Sequence, residues 1–161
     1  WAASLVQKFS DEAIRNVVAK ARYSEPGAPE YMSSTLIRRR DKVVATWLTG
    51  VNPVVKPRLT ADGILSFDNA AVIAGVATAP AAYVFSWSRF DNVTDADIGP
   101  REEARSTQPT VAAPASILQG AGFVSVVIQA IHPGFPQWER PVKVYFRQSA
   151  KGWETVGLER E

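Results

Sequence analysis

Phe123-Val124-Ser125-Val126-Val127-Ile128-Gln129-Ala130-Ile131 decides the fold. Val124, Val126, Ile128 and Ala130 share one apolar face of an extended chain. Phe123, Val127 and Ile131 make the opposite face largely apolar as well, so the stretch reads as a central strand. Downstream, Val142, Val144 and Phe146 alternate with Lys143, Tyr145 and Arg147. Ala150-Lys151-Gly152 supplies a turn, and Trp153–Leu158 returns as a hairpin partner. Upstream, Tyr83, Phe85 and Trp87 point to one side of a strand, with Val84, Ser86 and Ser88 on the other. Asp62-Gly63 signals a turn ahead of a strand at Ile64–Phe67. The stretch Asn69–Val76 is compatible with a strand or a short helix, and Asp91–Ala115, rich in Pro, Thr, Asp and Glu, reads as a long surface loop.

The first third of the chain has a different period. Ser10 is a good N-cap, with Asp11 and Glu12 in the first turn and Phe9 and Ile14 placed for a hydrophobic staple. Ile14, Val17, Val18 and Ala21 make an apolar stripe, and Trp1–Lys8 reads as a helical lead-in with Leu5 and Val6 facing inward. Ser24-Glu25-Pro26-Gly27-Ala28-Pro29 breaks this segment. A longer helix is expected over Glu30–Leu48, its buried stripe formed by Met32, Leu36, Val43 and Trp47 and widened by Ile37, Val44 and Leu48. Gly50 and Pro53 end it, and the short connection implies an antiparallel helical hairpin.

The expected architecture is therefore α+β: a helical segment 1–56 packed as one compact unit on an antiparallel sheet or small sandwich, 57–161. With 161 residues, 46% of them hydrophobic, the chain can bury a core without staples. The eighteen Lys and Arg exceed the sixteen Asp and Glu by two. Residues 1–56 carry nine basic and five acidic residues, hence +4; residues 57–161 carry nine and eleven, hence −2. So small an excess, without an RNA-binding aromatic signature, gives no reason to expect a nucleic-acid partner. The absence of cysteine excludes disulfides, thiol catalysis and thiolate metal sites, and the one histidine excludes a His-rich metal centre. No stretch is long and apolar enough for a membrane span, no Gly-rich phosphate loop occurs, and no cofactor is expected.

Several groups are candidates for function. His132 lies in Ile131-His132-Pro133-Gly134-Phe135-Pro136-Gln137-Trp138, between two strands, where Phe135 and Trp138 offer flat faces for a sugar or peptide. Hence His132, Phe135 and Trp138 form a candidate ligand-binding loop, set against a plain reading in which these aromatics fold back on the sheet. Arg38-Arg39-Arg40 is the densest charge run and a candidate anion site. Adjacent helical positions diverge by about 100°, so the run fits a solvated face better, with Asp41 pairing Arg38. Asp91-Asn92-Val93-Thr94-Asp95-Ala96-Asp97 is a loose calcium-loop pattern, or an ordinary turn. Glu102, Glu103 and Glu139 are carboxylates whose proximity the sequence leaves open.

Five motifs carry a resemblance. Trp1-Ala2-Ala3-Ser4-Leu5-Val6, Phe9-Ser10-Asp11-Glu12-Ala13-Ile14-Arg15 and Leu36-Ile37-Arg38-Arg39-Arg40-Asp41-Lys42 resemble the C-terminal region of large bacterial exported proteins of uncharacterised activity. Leu65-Ser66-Phe67-Asp68-Asn69 and Gly152-Trp153-Glu154-Thr155-Val156-Gly157-Leu158-Glu159-Arg160 are similar too. The resemblance implies an accessory or terminal domain of a longer parent chain, outside the cytoplasm, and transfers no catalytic residue. The functional expectation is a non-catalytic interaction domain that binds a partner domain, glycan or peptide. The alternative is a small-ligand enzyme or hydrolase with a cone-shaped pocket, using His132 and a carboxylate such as Glu139. A third expectation, a purely structural domain, requires an apolar patch where a neighbour docks.

Overall fold

The computed structural model describes residues 2–160. Its class is α+β: helices at the N-terminus followed by two antiparallel sheets. The helices are α1 (Ala2–Val6), α2 (Asp11–Ala19) and α3 (Ala28–Thr49). Strands β1 (Val54–Leu59) and β2 (Ile64–Asn69) follow, then the single turn of α4 (Ala70–Ile73). After β3 (Ala82–Asp91), β4 (Ala96–Ser106) and β5 (Thr110–Ala112) comes α5 (Ala115–Leu118), and β6 (Phe123–Ile131), β7 (Val142–Ser149) and β8 (Gly152–Arg160) complete the chain. Trp1, part of the expected lead-in, lies outside the described residues.

The larger sheet has the order β4-β3-β6-β7-β8 and the smaller β1-β2-β5. The stretch Phe123–Ile131 is the middle strand of the five, as its two apolar faces require. Register fixes which face is core: Trp87 lies opposite Val126, Phe85 opposite Ile128 and Tyr83 opposite Ala130. Val144 pairs Val126 and continues that layer. All of these are buried and meet Leu59, Leu65 and Phe67 of the small sheet in one cluster. Phe67 stands edge-on to Tyr83 with ring centroids 5.0 Å apart. The interior is thus filled by large side chains, Trp87, Phe85, Phe146, Leu65 and Ile128 among them. At one end the sheets are tied by side chain to backbone: Thr155 Oγ1 of β8 donates to Pro57 O at 2.8 Å, and an Arg160 N–H to Val54 O.

The expected loop over Asp91–Ala115 is instead mostly strand: β4 and β5 occupy it. β4 is an edge strand whose side chains are mainly exposed, so it shows no apolar alternation. Its Gly99-Pro100 pair sits where the register against β3 jumps, from Ile98 opposite Arg89 to Glu102 opposite Trp87. Gly99 has φ +75°, a conformation glycine adopts freely, and Pro100 needs no ladder partner at a bulge on an edge.

The N-terminal boundaries follow local chemistry. The Ser10 hydroxyl accepts from the Ala13 N–H at 3.1 Å. Asn69 caps α4 by accepting from the N–H groups of Ala71 and Val72, settling the ambiguous stretch as a helical turn. Two stripe assignments need correction. Val18 is buried in α2, whereas Val17 is 70% exposed. In α3, Ser33, Val44 and Leu48 are buried, whereas Leu36, Val43 and Trp47 are exposed. Leu5 of α1 is exposed also, while Val6 packs on the core.

Candidate functional site

The loop after β6 was expected to present aromatic faces to a ligand. It turns inward instead. A 3-10 turn over Pro136–Glu139 places Phe135 and Trp138 on one side, their rings stacked at 4.9 Å and 19°. His132 joins them, 4.7 Å from Phe135 and 4.9 Å from Trp138 by ring centroid. Trp138 is fully buried, His132 is 8% exposed and Phe135 is half-buried against the core. The indole Nε1 of Trp138 donates to Thr49 O at 2.9 Å, and Gln137 Nε2 donates to the same oxygen at 2.6 Å. Thr49 is the last residue of α3, whose final carbonyls lack helical partners. Just beyond it, Asn52 Nδ2 donates to Ile128 O and Arg140 O, both at 3.0 Å. The loop is thus a latch that seats the end of α3 on the large sheet. Trp138 has no free face for stacking, which corrects its expected role as a platform.

His132 has both ring nitrogens engaged. Nδ1 accepts from the Gly134 N–H at 3.0 Å, so the ring hydrogen sits on Nε2, which faces Thr78 Oγ1 at 3.2 Å and donates to it. Among the described residues no carboxylate hydrogen-bonds this imidazole. Glu139 is exposed, and its backbone carbonyl, not its carboxylate, accepts from Gln129. A base–carboxylate pair is therefore not assembled here.

The three arginines also part company. Arg40, in the middle of α3, reaches across to the start of α2: it donates to Asp41 Oδ1 through Nε at 2.9 Å, to Asp11, and to Phe9 O at 2.7 Å. Asp41 pairs with Arg40 rather than with Arg38 as expected. The Asp41 hydrogen bond is the main cause holding the Arg40 guanidinium above its ordinary pKa, and these partners leave little donor capacity for an outside anion. Arg40 sits in an open cleft of about 570 Å³ whose other walls include Phe9, Val44, Ala74 and Val76. Arg38 and Arg39 are exposed on α3.

The acidic pattern at Asp91–Asp97 does not converge on a cation. Asp91 Oδ1 accepts from the Val93 N–H at 2.8 Å, an Asx turn at the β3–β4 hairpin. Asp97 points the other way, onto the outer face of the large sheet. There Oδ1 accepts from Ser125 Oγ at 2.7 Å and lies 2.9 Å from Lys143 Nζ, while Arg101 reaches Oδ2 at 3.2 Å. Burial alone would push the Asp97 carboxyl up; the bonds from Lys143 and Ser125 and the Arg101 charge outweigh it and hold the pKa below its ordinary value. Lys143 Nζ also lies over the rings of Phe90 and Tyr145, at 5.5 and 5.2 Å. The Tyr145 hydroxyl donates to Glu159, and burial, with that carboxylate, raises its pKa to about 12. Ser125 is 1% exposed, so its hydroxyl is closed to a substrate. Sequence reasoning missed this cluster, although the alternation of Lys143 and Tyr145 with Val142 and Val144 already set them on the face away from the core. No group of three or more His, Asp or Glu suited to a metal ion occurs among the described residues.

The remaining feature is the outer side of α3. Successive residues rotate by about 100°, so Met32, Leu36, Val43 and Trp47 fall within an arc of about 60°. Leu36 is 38%, Val43 37% and Trp47 66% exposed. No family model, curated protein or solved structure matches the chain.

Proposed function

We propose that the protein is a non-catalytic interaction domain that docks a neighbouring domain through the outer side of α3. The observation that carries this reading is the exposed apolar row Leu36, Val43 and Trp47 on one flank of a 22-residue helix that is seated on the core by its other flank. Scattered exposed hydrophobics are ordinary, but an aligned row ending in tryptophan is the form in which interfaces concentrate binding energy. The filled interior and the fully engaged His132 favour docking over the hydrolase alternative. Among the described residues no helix is long and apolar enough to cross a membrane. The motif resemblance noted above makes the rest of a parent chain, exported from the cytoplasm, the partner to examine first. On this reading a glycan or peptide is not bound at Trp138.

The experiment is site-specific photo-crosslinking in cells that make the full polypeptide. A photoreactive residue at Trp47 is expected to yield one discrete product, and one at Val93, the 93% exposed hairpin tip, none. Equal labelling from both positions, or none from position 47, overturns the proposal.

A further inference from the structure

We infer that the segment docked on α3 is an acidic amphipathic helix of the neighbouring domain. The inference rests on the docking reading above and concerns the chemistry of the partner. Three observations carry it. First, the apolar row spans an arc of only about 60°, the width of a helix–helix seam rather than the stripe of 100° or more that a helix lays on a broad apolar surface. Second, the charged residues on the solvent flank of the row are all cationic. Arg39 lies about 40° from Val43 and Lys42 about 60° beyond Arg39, and both are exposed. Neither forms an ion pair among the described residues. Third, the acids of α3 are elsewhere: Glu30 is held by Arg15 at 3.1 Å and Asp41 by Arg40 at 2.7 Å. The row is therefore bordered by positive charge that the described residues leave without an ion-pair partner.

The same pattern argues against a second copy of the chain. Two α3 helices packed antiparallel along this row bring Arg39 and Lys42 of one copy against those of the other, a like-charge contact. Packed in parallel, the cationic flank meets the flank occupied by the other helices, α2 among them. A bilayer is disfavoured by the narrow arc. A helix with leucines along one seam and glutamates beside it satisfies both the apolar row and the cations.

The test uses two synthetic helical peptides with the same leucine seam, one carrying glutamates on its flank and the other lysines at those places. Each is titrated against the 161-residue chain by fluorescence anisotropy. The glutamate peptide is expected to bind, and the lysine peptide to bind about tenfold more weakly, about 1.4 kcal/mol. The double variant Arg39→Glu, Lys42→Glu reverses that order; Leu36→Ser with Trp47→Ser abolishes binding of both. Circular dichroism checks that each variant keeps its fold, and Val93→Ser serves as an exposed apolar control. Equal binding of the two peptides, or binding of neither, overturns the inference. So do binding to phosphatidylserine vesicles or self-association, if Trp47→Ser removes either. If position 47 crosslinks in cells but the peptides are not distinguished by charge, docking stands and the acidic helix falls. If position 47 does not crosslink and neither peptide binds, both fall.

Discussion

Trp138 and Trp47 lie at the two ends of one comparison. Trp138 sits in a loop between strands, flanked by prolines, and is fully buried. Trp47 sits in the last turn of a long helix, where an apolar stripe is expected to face the core, and is 66% exposed. Secondary-structure type predicts the reverse for both. For these two indoles the difference follows which one has an acceptor in reach, whereas Trp87 is buried by packing alone, its Nε1 without a partner among the described residues. Thr49 O, at the end of α3, is reached by Trp138 Nε1, and that bond draws the loop in. Trp47, only two residues before it and on another side of the helix, makes no such bond among the described residues.

The comparison can be broken by mutation. Trp138→Ala is expected to cost about 3–5 kcal/mol in urea unfolding, through the cavity and the lost hydrogen bond. A cost below about 1 kcal/mol would mean that the latch does not seat the helix. Asn52→Ala is expected to cost about 2 kcal/mol, because it leaves the carbonyls of Ile128 and Arg140 without their shared donor. Asp97→Asn on the outer sheet face should cost about 1 kcal/mol at neutral pH, since it weakens a partly buried network. Its pH signature is more specific. Asp97 has a folded pKa below the ordinary value, so its contribution is complete above the ordinary carboxylate range. That contribution is lost as pH falls through the lower folded value. The wild type should thus lose stability on that acid limb faster than Asp97→Asn does, and parallel limbs would refute the assignment. Trp47→Ser should change stability by less than about 0.5 kcal/mol, the smallest effect of the set and the one that separates a docking row from a core stripe.

Much of the fold was legible. The double apolar face of Phe123–Ile131, the alternation in Tyr83–Trp87 and Val142–Phe146, and the turn at Ala150-Lys151-Gly152 each specify a strand through side-chain period alone. β4 was not legible, because an edge strand with a bulge and charged side chains carries no such period. The candidate site was hardly legible, for a reason that α3 makes plain. Met32, Leu36, Val43 and Trp47 have the same spacing as Ser33, Ile37, Val44 and Leu48, one residue later. The two rows differ by a single step of about 100° around the helix. Periodicity marks α3 as amphipathic but does not say which row faces inward. The tie is broken outside the helix, where Asp11 and Phe9 O engage Arg40 and so turn the second row toward the core. For the aromatic loop, the signal that Phe135 and Trp138 are three residues apart, one 3-10 turn, was present. The acceptor of the Trp138 indole, 89 positions earlier, was not.

Those long separations have a consequence in time. Thr49 is joined to Trp138 across 89 positions, Asn52 to Arg140 across 88 and Val54 to Arg160 across 106. During synthesis from the N-terminus, α2 and α3 can form as soon as they are made, but the surface that seats them is completed only with the last strands. Until then both rows of α3 are uncovered, the one destined for the core and the one left outside. A nascent chain paused before β6 therefore displays apolar helix surface that the finished domain covers. In that interval the protein depends most on whatever binds exposed helices, and slowing translation through the second half should lower its soluble yield more than slowing it through the first.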